Sequence, residues 1–156
     1  MSATALVKKF SGKGLTLATA ESCTGGLVAG AITAIPGSSS IFTHGFVTYA
    51  NAAKTQMLSV PETMLAAHGA VSEPVARAMA EGARNRAGTD YAVSTTGIAG
   101  PDGGTGEKPV GTVWFGLAGP TSTQTYHKLF HGDRESIRNQ AVGFALALLE
   151  QQGDET

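Results

Sequence analysis

The sequence of 156 residues is poor in cysteine, in charge and in aromatic residues. Its single cysteine, Cys23, excludes an internal disulfide and is typical of a reducing compartment. Charged residues make up 15% of the chain, with 11 Lys and Arg against 12 Asp and Glu. No basic run occurs, and phosphate backbones bind to clustered positive charge, so we expect no nucleic-acid partner.

Long apolar runs and metal-ligand spacings are absent as well. No stretch approaches the ~20 apolar residues of a membrane span, and no long apolar region follows the two lysines near the N-terminus, so neither a membrane partner nor a signal peptide is expected. His, Cys, Asp and Glu do not recur at ligand spacings, so no metal or other cofactor is expected. We therefore expect one cytoplasmic domain over residues 1–156, whose composition permits a homo-oligomer without requiring one.

Hydrophobic patterns predict alternating strands and helices early in the chain and a hairpin late. Strands are predicted at 15–20, 41–49, 91–94, 111–118 and 123–130, and helices at 3–10, 24–34, 52–58, 61–68 and 72–86. Asp133 is expected to cap a last helix, which has a 3.6-residue apolar stripe at Ile137, Ala141, Phe144, Ala145, Leu148 and Leu149. This order predicts an α/β fold, a three-layer α/β/α sandwich with a mixed, mainly parallel sheet.

The segment 20–26, of sequence AESCTGG, joins a predicted buried strand to a predicted helix. A hydroxyl at this place faces unpaired backbone N–H groups and the positive end of the helix dipole. The position suits an attacking serine beside an oxyanion pocket, or a cradle for phosphate. The alternative is that Ser22 or Thr24 only caps the helix.

An attacking serine needs a base. The histidines have no acidic partner in view except Asp133, and Gly-x-Ser-x-Gly is absent, so a Ser-His-Asp triad is weakly supported. Lys54, among small apolar residues just beyond Tyr49, is the alternative base if burial lowers its pKa; the competing interpretation is a solvated helix face. Ser22, Tyr49 and the pair Thr95-Thr96 all follow or end predicted strands, where ligands bind in such sheets.

Two further features are candidates for binding an anion. Arg134 and Arg138 lie one turn apart near the start of the last helix, where they could hold an anionic group together with the helix N-terminus. The alternative is that they only form a solvent-exposed face of the helix. The loop 97–106 is rich in glycine and presents backbone N–H groups, without the Walker spacing, unless it is only a flexible surface loop. Cys23 is better explained as a small packing residue than as a nucleophile.

Six segments together resemble the CinA C-terminal domain family, the nicotinamide-nucleotide amidohydrolases. They are ATAESCTGG at 18–26, VTYANxxK at 47–54, GAVSE at 69–73, TTGIAGPxGG at 95–104, KPVGTV at 108–113 and HGDRxxIR at 131–138. The resemblance spans nearly the whole chain and implies the same three-layer fold.

The resemblance implies hydrolysis of the carboxamide of nicotinamide mononucleotide to nicotinate mononucleotide and ammonia, in pyridine-nucleotide recycling and without a cofactor. It places the nucleophile at Ser22, its lysine at Lys54 and an arginine of the last helix at Arg138. The expected catalytic residues are Ser22, Lys54, Tyr49, Thr95 and Thr96, and the expected substrate-binding residues are Gly25, Gly26, Gly97, Gly100, Arg134 and Arg138.

In the expected mechanism, neutral Lys54 takes the Ser22 proton and an acyl-enzyme forms. N–H groups at the start of the following helix, with a hydroxyl of Thr95 or Thr96, meet the charge on the carbonyl oxygen. A non-catalytic nucleotide-binding module and an amidase for another small amide remain as alternatives. Many relatives carry a second, N-terminal domain that resembles molybdopterin-binding proteins; it is not seen here, so its pyrophosphatase activity is not expected.

Overall fold

The computed structural model describes residues 3–154. Five strands form one sheet: β1 (Leu17–Glu21), β2 (Phe42–Val47), β3 (Tyr91–Gly97), β4 (Thr112–Ala118) and β5 (Thr123–Leu129). Six α-helices surround it: α1 (Ala3–Lys13), α2 (Leu27–Thr33), α3 (Asn51–Leu58), α4 (Glu62–His68), α5 (Glu73–Ala87) and α6 (Arg134–Glu150). A short 3₁₀ turn at Ser38–Ser40 precedes β2 and was not predicted.

The sheet has the strand order β2-β1-β3-β4-β5. β1 runs parallel to β2 and β3, whereas β4 runs antiparallel to both β3 and β5. Four strands therefore point one way and β4 alone points the other. The prediction of a mixed, mainly parallel sheet is confirmed.

Helices cover both faces of the sheet. One apolar cluster joins α1, α2 and α6 to one face, and a second joins α3, α4 and α5 to the other. Strand residues alternate between the two clusters, as the two-residue period of a strand requires: Leu17 packs in the first, and Ala18 and Ala20 in the second. The three-layer α/β/α prediction is confirmed.

The last helix is close to its prediction. The Asp133 side chain accepts a hydrogen bond from the backbone N–H of Ser136, so the predicted cap is confirmed. Of the predicted stripe, Phe144 is only partly buried; its ring lies 4.7 Å from that of Phe115, and the other members are buried. Within residues 3–154, no helix has the length and apolarity that crossing a membrane requires.

Candidate active site

Polar residues meet at the edge of the sheet where β1, β2 and β3 end. Ser22 directly follows β1, and its backbone N–H donates to the Thr95 carbonyl oxygen of β3 at 2.9 Å. On the other side, the Thr48 N–H donates to the Glu21 carbonyl oxygen at 2.9 Å. The expected convergence of these strand ends is confirmed.

Lys54 lies on α3 and is fully buried, with 0% of its surface exposed. Its Nζ is 3.1 Å from Ser22 Oγ, 2.8 Å from the Thr48 carbonyl oxygen and 3.1 Å from the Tyr49 carbonyl oxygen. Interpreting Lys54 as part of a solvated helix face is therefore wrong. From α3, the helix that follows β2, the Lys54 side chain extends to the residues that directly follow β1 and β2.

Burial lowers the pKa of Lys54, because the ammonium form loses its hydration, and the nearby Cys23 acts in the opposite direction with less effect. A neutral amine has two N–H donors and one lone pair. Here the two carbonyl groups can accept the N–H groups, which leaves the lone pair facing the Ser22 hydroxyl. This is the arrangement of a base next to a nucleophile.

Glu21, the last residue of β1, occupies the start of α2. Its carboxylate accepts hydrogen bonds from the backbone N–H groups of Gly26 at 3.1 Å, Val28 at 2.9 Å and Ala29 at 3.0 Å. These three N–H groups are therefore not available to an oxyanion. The sequence argument missed Glu21, although a carboxylate just before a helix N-terminus is a favourable pairing with the helix dipole.

Neither Ser22 nor Thr24 caps α2, so that alternative is also wrong. The N-cap residue is Gly26, which makes no side-chain cap bond, and the helix begins at Leu27 rather than at Thr24. Thr24 Oγ1 instead donates to the Glu21 carboxylate at 2.6 Å and lies 2.7 Å from Thr95 Oγ1. Because the one Thr24 proton goes to the carboxylate, the Thr95 hydroxyl must donate to Thr24.

Two backbone N–H groups of the loop have no oxygen acceptor anywhere in residues 3–154: those of Cys23 and Thr24. They directly follow Ser22 in the chain. In sharp strand-to-helix turns, the backbone amide after a nucleophilic serine is a known donor to an oxyanion. The loop thus has donors left for an anionic oxygen, and one of them, the Thr24 N–H, lies at the predicted start of the helix.

The two candidate threonines face opposite sides of β3. Thr95 is buried and contacts Thr24 and the Cys23 side chain, so it supports the Ser22 loop. Thr96 Oγ1 donates to the Ala70 carbonyl oxygen at 2.9 Å, in the segment before α5. The alternation of strand side chains explains the separation, and only Thr95 lies against the loop.

Arg138 reaches from α6 to the Ser22 loop. Its Nε donates to the Cys23 carbonyl oxygen at 3.0 Å and its Nη2 to the Thr24 carbonyl oxygen at 3.3 Å. The side chain is half-buried, so it is not an ordinary solvated helix residue. A Cβ at Gly25 would lie 3.1 Å from Arg138 Nη2, and Gly25 has a φ of 59°, so the turn here favours glycine.

Arg134 lies one turn earlier and is exposed. Its Nη1 donates to the Gly100 carbonyl oxygen at 2.7 Å and its Nη2 to the Tyr49 hydroxyl at 3.1 Å. Among the described residues, neither Arg134 nor Arg138 forms an ion pair with a carboxylate. Two guanidinium groups without a carboxylate partner therefore lie at this edge of the sheet, Arg138 against the Ser22 loop and Arg134 against Gly100 and Tyr49, where they can bind an anion.

The remaining glycine and cysteine candidates have packing contacts. A Cβ at Gly97 would lie 2.6 Å from Val113 Cγ2, so glycine allows β3 and β4 to approach closely. Burial raises the pKa of the Cys23 thiol to about 11, which disfavours it as a nucleophile. Within residues 3–154, no group of three or more His, Cys, Asp or Glu side chains is placed to hold a metal ion.

Known proteins match this chain in sequence and in fold. The sequence pattern of the CinA C-terminal domain matches residues 1–152. The chain belongs to the CinA C-terminal domain family. The resemblance on the six segments is thereby confirmed. Among solved structures, the competence/damage inducible protein CihA from Agrobacterium tumefaciens superposes on this chain with a TM-score of 0.92. The two sequences are 44% identical, and the match covers 94% of this chain and 90% of CihA.

Curated CinA relatives are of two lengths. A protein of Shigella flexneri named nicotinamide-nucleotide amidohydrolase PncC is 58% identical over 141 residues, which are 90% of this chain and 86% of that protein. A CinA-like protein of Anaeromyxobacter dehalogenans is 55% identical over 144 residues, which are 92% of this chain and 35% of that protein. The chain thus spans about a third of the length of such CinA-like relatives.

Proposed function

We propose that this protein hydrolyses the carboxamide of nicotinamide mononucleotide to nicotinate mononucleotide and ammonia, a step in the recycling of pyridine nucleotides. Similarity to the PncC proteins, of which the chain covers 86%, supports the substrate. The observation that carries the chemistry is the 3.1 Å contact between Lys54 Nζ and Ser22 Oγ in a buried site.

In the proposed reaction, neutral Lys54 removes the proton of Ser22 Oγ as this oxygen attacks the amide carbon. The resulting ammonium returns a proton to the amide nitrogen, which leaves as ammonia, and an ester to Ser22 remains. Lys54, neutral again, then deprotonates a water that attacks the ester. The carboxylate product departs and Ser22 regains its proton.

The oxyanion of each tetrahedral intermediate is assigned to the backbone N–H groups of Cys23 and Thr24. Arg138 holds the Cys23 carbonyl oxygen. Because N–H and C=O point in opposite directions across a trans peptide, the Thr24 N–H points away from Arg138. Donors that are fixed in place before the reaction need no reorganisation when charge develops, which is the main source of such stabilisation.

The phosphate of the nucleotide is assigned to Arg138 and Arg134. Neither guanidinium pairs with a carboxylate in the described chain, and guanidinium groups match phosphate oxygens well. The N-terminus of α6 is a less suitable anion site than expected, because the Asp133 carboxylate already accepts the Ser136 N–H at 2.9 Å. Tyr49, 61% exposed and bonded to Arg134, then borders the substrate.

The test is ammonia release and nicotinate mononucleotide formation by the parent protein and by Ser22→Ala. We expect Ser22→Ala to fold and to bind the nucleotide by calorimetry, while its turnover falls by ~1000-fold or more. Ser122→Ala, in the exposed hairpin turn, is the control and keeps parental activity. If Ser22→Ala stays within about tenfold of the parent, a barrier difference of only about 1.4 kcal/mol, Ser22 is not the nucleophile.

The same assay with a substrate panel separates the alternatives. Nicotinamide mononucleotide, its riboside, free nicotinamide and unrelated small amides are compared at equal concentration. Binding of the mononucleotide without any product would identify a regulatory module. Faster hydrolysis of a different amide would identify an amidase with another substrate.

A further inference from the structure

Glu21 has no part in the chemistry proposed above, yet among residues 3–154 it is the only fully buried carboxylate, with 1% of its surface exposed. A buried carboxylate is costly unless its oxygens are satisfied. Its Oε1 accepts from Thr24 Oγ1 and from the N–H groups of Gly26 and Val28, and its Oε2 accepts from Ala29 N–H. All four donors belong to the turn after Ser22 or to the start of α2.

A positive charge holds the same loop from the other side. Arg138 donates hydrogen bonds to the carbonyl oxygens of Cys23 and Thr24, whereas the Glu21 carboxylate accepts hydrogen bonds from N–H groups further along the turn. The loop thus lies between an anion on its N–H side and a cation on its carbonyl side. Hydrogen bonds to charged groups are about twice as strong as neutral ones, so this pair fixes the path of the loop.

We propose that Glu21 is a positioning residue for the hydrolysis, which rests on the function proposed above. By anchoring the turn, its carboxylate holds Ser22 Oγ against Lys54 and keeps the N–H groups of Cys23 and Thr24 directed at the oxyanion. The nucleophile directly follows Glu21 in the chain, so a shift of the turn moves it. A displacement of about 1 Å can cost a reaction ~100-fold in rate.

The variant Glu21→Gln tests this, because it keeps the shape of the side chain but removes its charge and opposes an NH₂ group to a backbone N–H. We expect kcat for nicotinamide mononucleotide to fall by ~10- to 100-fold. KM should stay within about threefold, since the guanidinium groups that bind the phosphate remain. A rise in KM at unchanged kcat would overturn the proposal.

Asp90→Asn is the matched control for a loss of stability alone. The Asp90 carboxylate accepts hydrogen bonds from the Thr16 N–H at 2.9 Å and from the Thr16 hydroxyl at 3.2 Å, so it joins the starts of β1 and β3 at the opposite end of the sheet. We expect Asp90→Asn to lower the melting temperature and to keep the parental kcat. Equal losses of kcat in both variants would mean that Glu21 acts only through stability.

A second measurement does not depend on the substrate. A fluorophosphonate that reacts with activated serine should modify Ser22 ~10-fold or more slowly in Glu21→Gln than in the parent. If the parent is modified at Ser22 but fails to cleave the nucleotide, the proposed function is wrong. The positioning role of Glu21 is then still tested by comparing the modification rates of Ser22 in the two proteins. Equal rates in the two proteins, or no modification of parental Ser22, would overturn the positioning role.

If Glu21→Gln does not fold, Thr24→Val takes its place, because it removes only the hydroxyl that joins Glu21 to Thr95. We expect kcat to fall several-fold, as the loss of one hydrogen bond to a charged group implies. Thr24→Ser, which keeps the hydroxyl, should recover most of that loss. A Thr24→Val protein with parental kcat would contradict the proposal.

Discussion

Replacing Lys54 by arginine or methionine tests the base directly. Lys54→Arg fixes a positive charge at this position, because a guanidinium stays protonated at any working pH and cannot accept the Ser22 proton. Lys54→Met removes the nitrogen while filling a similar volume. Both proteins should bind nicotinamide mononucleotide and release little ammonia from it.

The expected magnitude follows from the role. A positioned general base contributes ~10²- to 10⁴-fold, or about 3 to 5 kcal/mol of barrier, so both variants should retain at most about 1% of the parental kcat. Lys8→Met, at an exposed position of α1, is the control and should keep parental activity. Circular dichroism and thermal melting check that each variant is folded.

The pH dependence provides a second measurement. Burial holds the pKa of Lys54 below its usual value of 10.5, and the neutral form is the active one. The parental kcat/KM should therefore rise tenfold per pH unit up to that lowered pKa and level off above it. Between the lowered pKa and 10.5, the unfolded chain binds more protons than the folded one, so the free energy of unfolding rises with pH.

In Lys54→Met, the free energy of unfolding should no longer rise with pH in this range. The rise that is lost amounts to about 1.36 kcal/mol for each unit by which the pKa of Lys54 is lowered. The absolute stability of this variant is a poorer measure, because the Thr48 and Tyr49 carbonyl groups lose their donor. Activity of Lys54→Arg within about tenfold of the parent, or a parental kcat/KM that does not rise with pH at any pH at which the protein is folded, would refute the assignment of Lys54 as base.

Three further predictions concern other parts of the chain. Arg138→Ala should narrow the difference in ammonia release between nicotinamide mononucleotide and its riboside; equal parental rates on both would refute the phosphate site. The Cys23 thiol, with its pKa raised to about 11, should resist iodoacetamide near pH 8 until the protein unfolds, which mass spectrometry detects; labelling of the native protein would contradict this. Gly82→Ala should lower the free energy of unfolding in urea by about 1–3 kcal/mol or more, because its Cβ would lie 2.0 Å from the Leu58 carbonyl oxygen. The control Gly143→Ala, whose Cβ would have nothing within 4 Å, should raise the free energy of unfolding by up to ~1 kcal/mol. Equal effects of the two substitutions would refute the contact at Gly82.

Local patterns were sufficient to predict most of the fold. The apolar run at β1 and the stripe on α6 identify their elements because each buries one continuous surface. The site edge was also predictable, because parallel strands end together and Ser22, Tyr49 and Thr95 all follow or end strands. The partners of each side chain were not predictable in the same way.

Long-range contacts explain what the sequence argument missed. Arg138 bonds to a carbonyl oxygen 115 positions earlier, a contact that no local pattern encodes. The start of α2 shifted from Thr24 to Leu27 because the turn at Gly25 and Gly26 has positive φ values of 59° and 102°. The cap comes from Glu21, five residues before the first N–H it binds, which is outside the usual spacing of a helix cap.

The placement of Glu21 also bears on how Lys54 can act as a base. A carboxylate paired with Lys54 would favour the ammonium form and raise its pKa. Glu21 is buried close to the same loop, but its oxygens are engaged by Thr24 and by backbone N–H groups, and its charge complements the positive end of the α2 dipole. Lys54 instead meets one hydroxyl and two carbonyl oxygens, which are neutral partners. The fold thus keeps two buried ionisable groups near one serine without pairing them, so burial can lower the pKa of Lys54 toward the neutral form that proton abstraction requires.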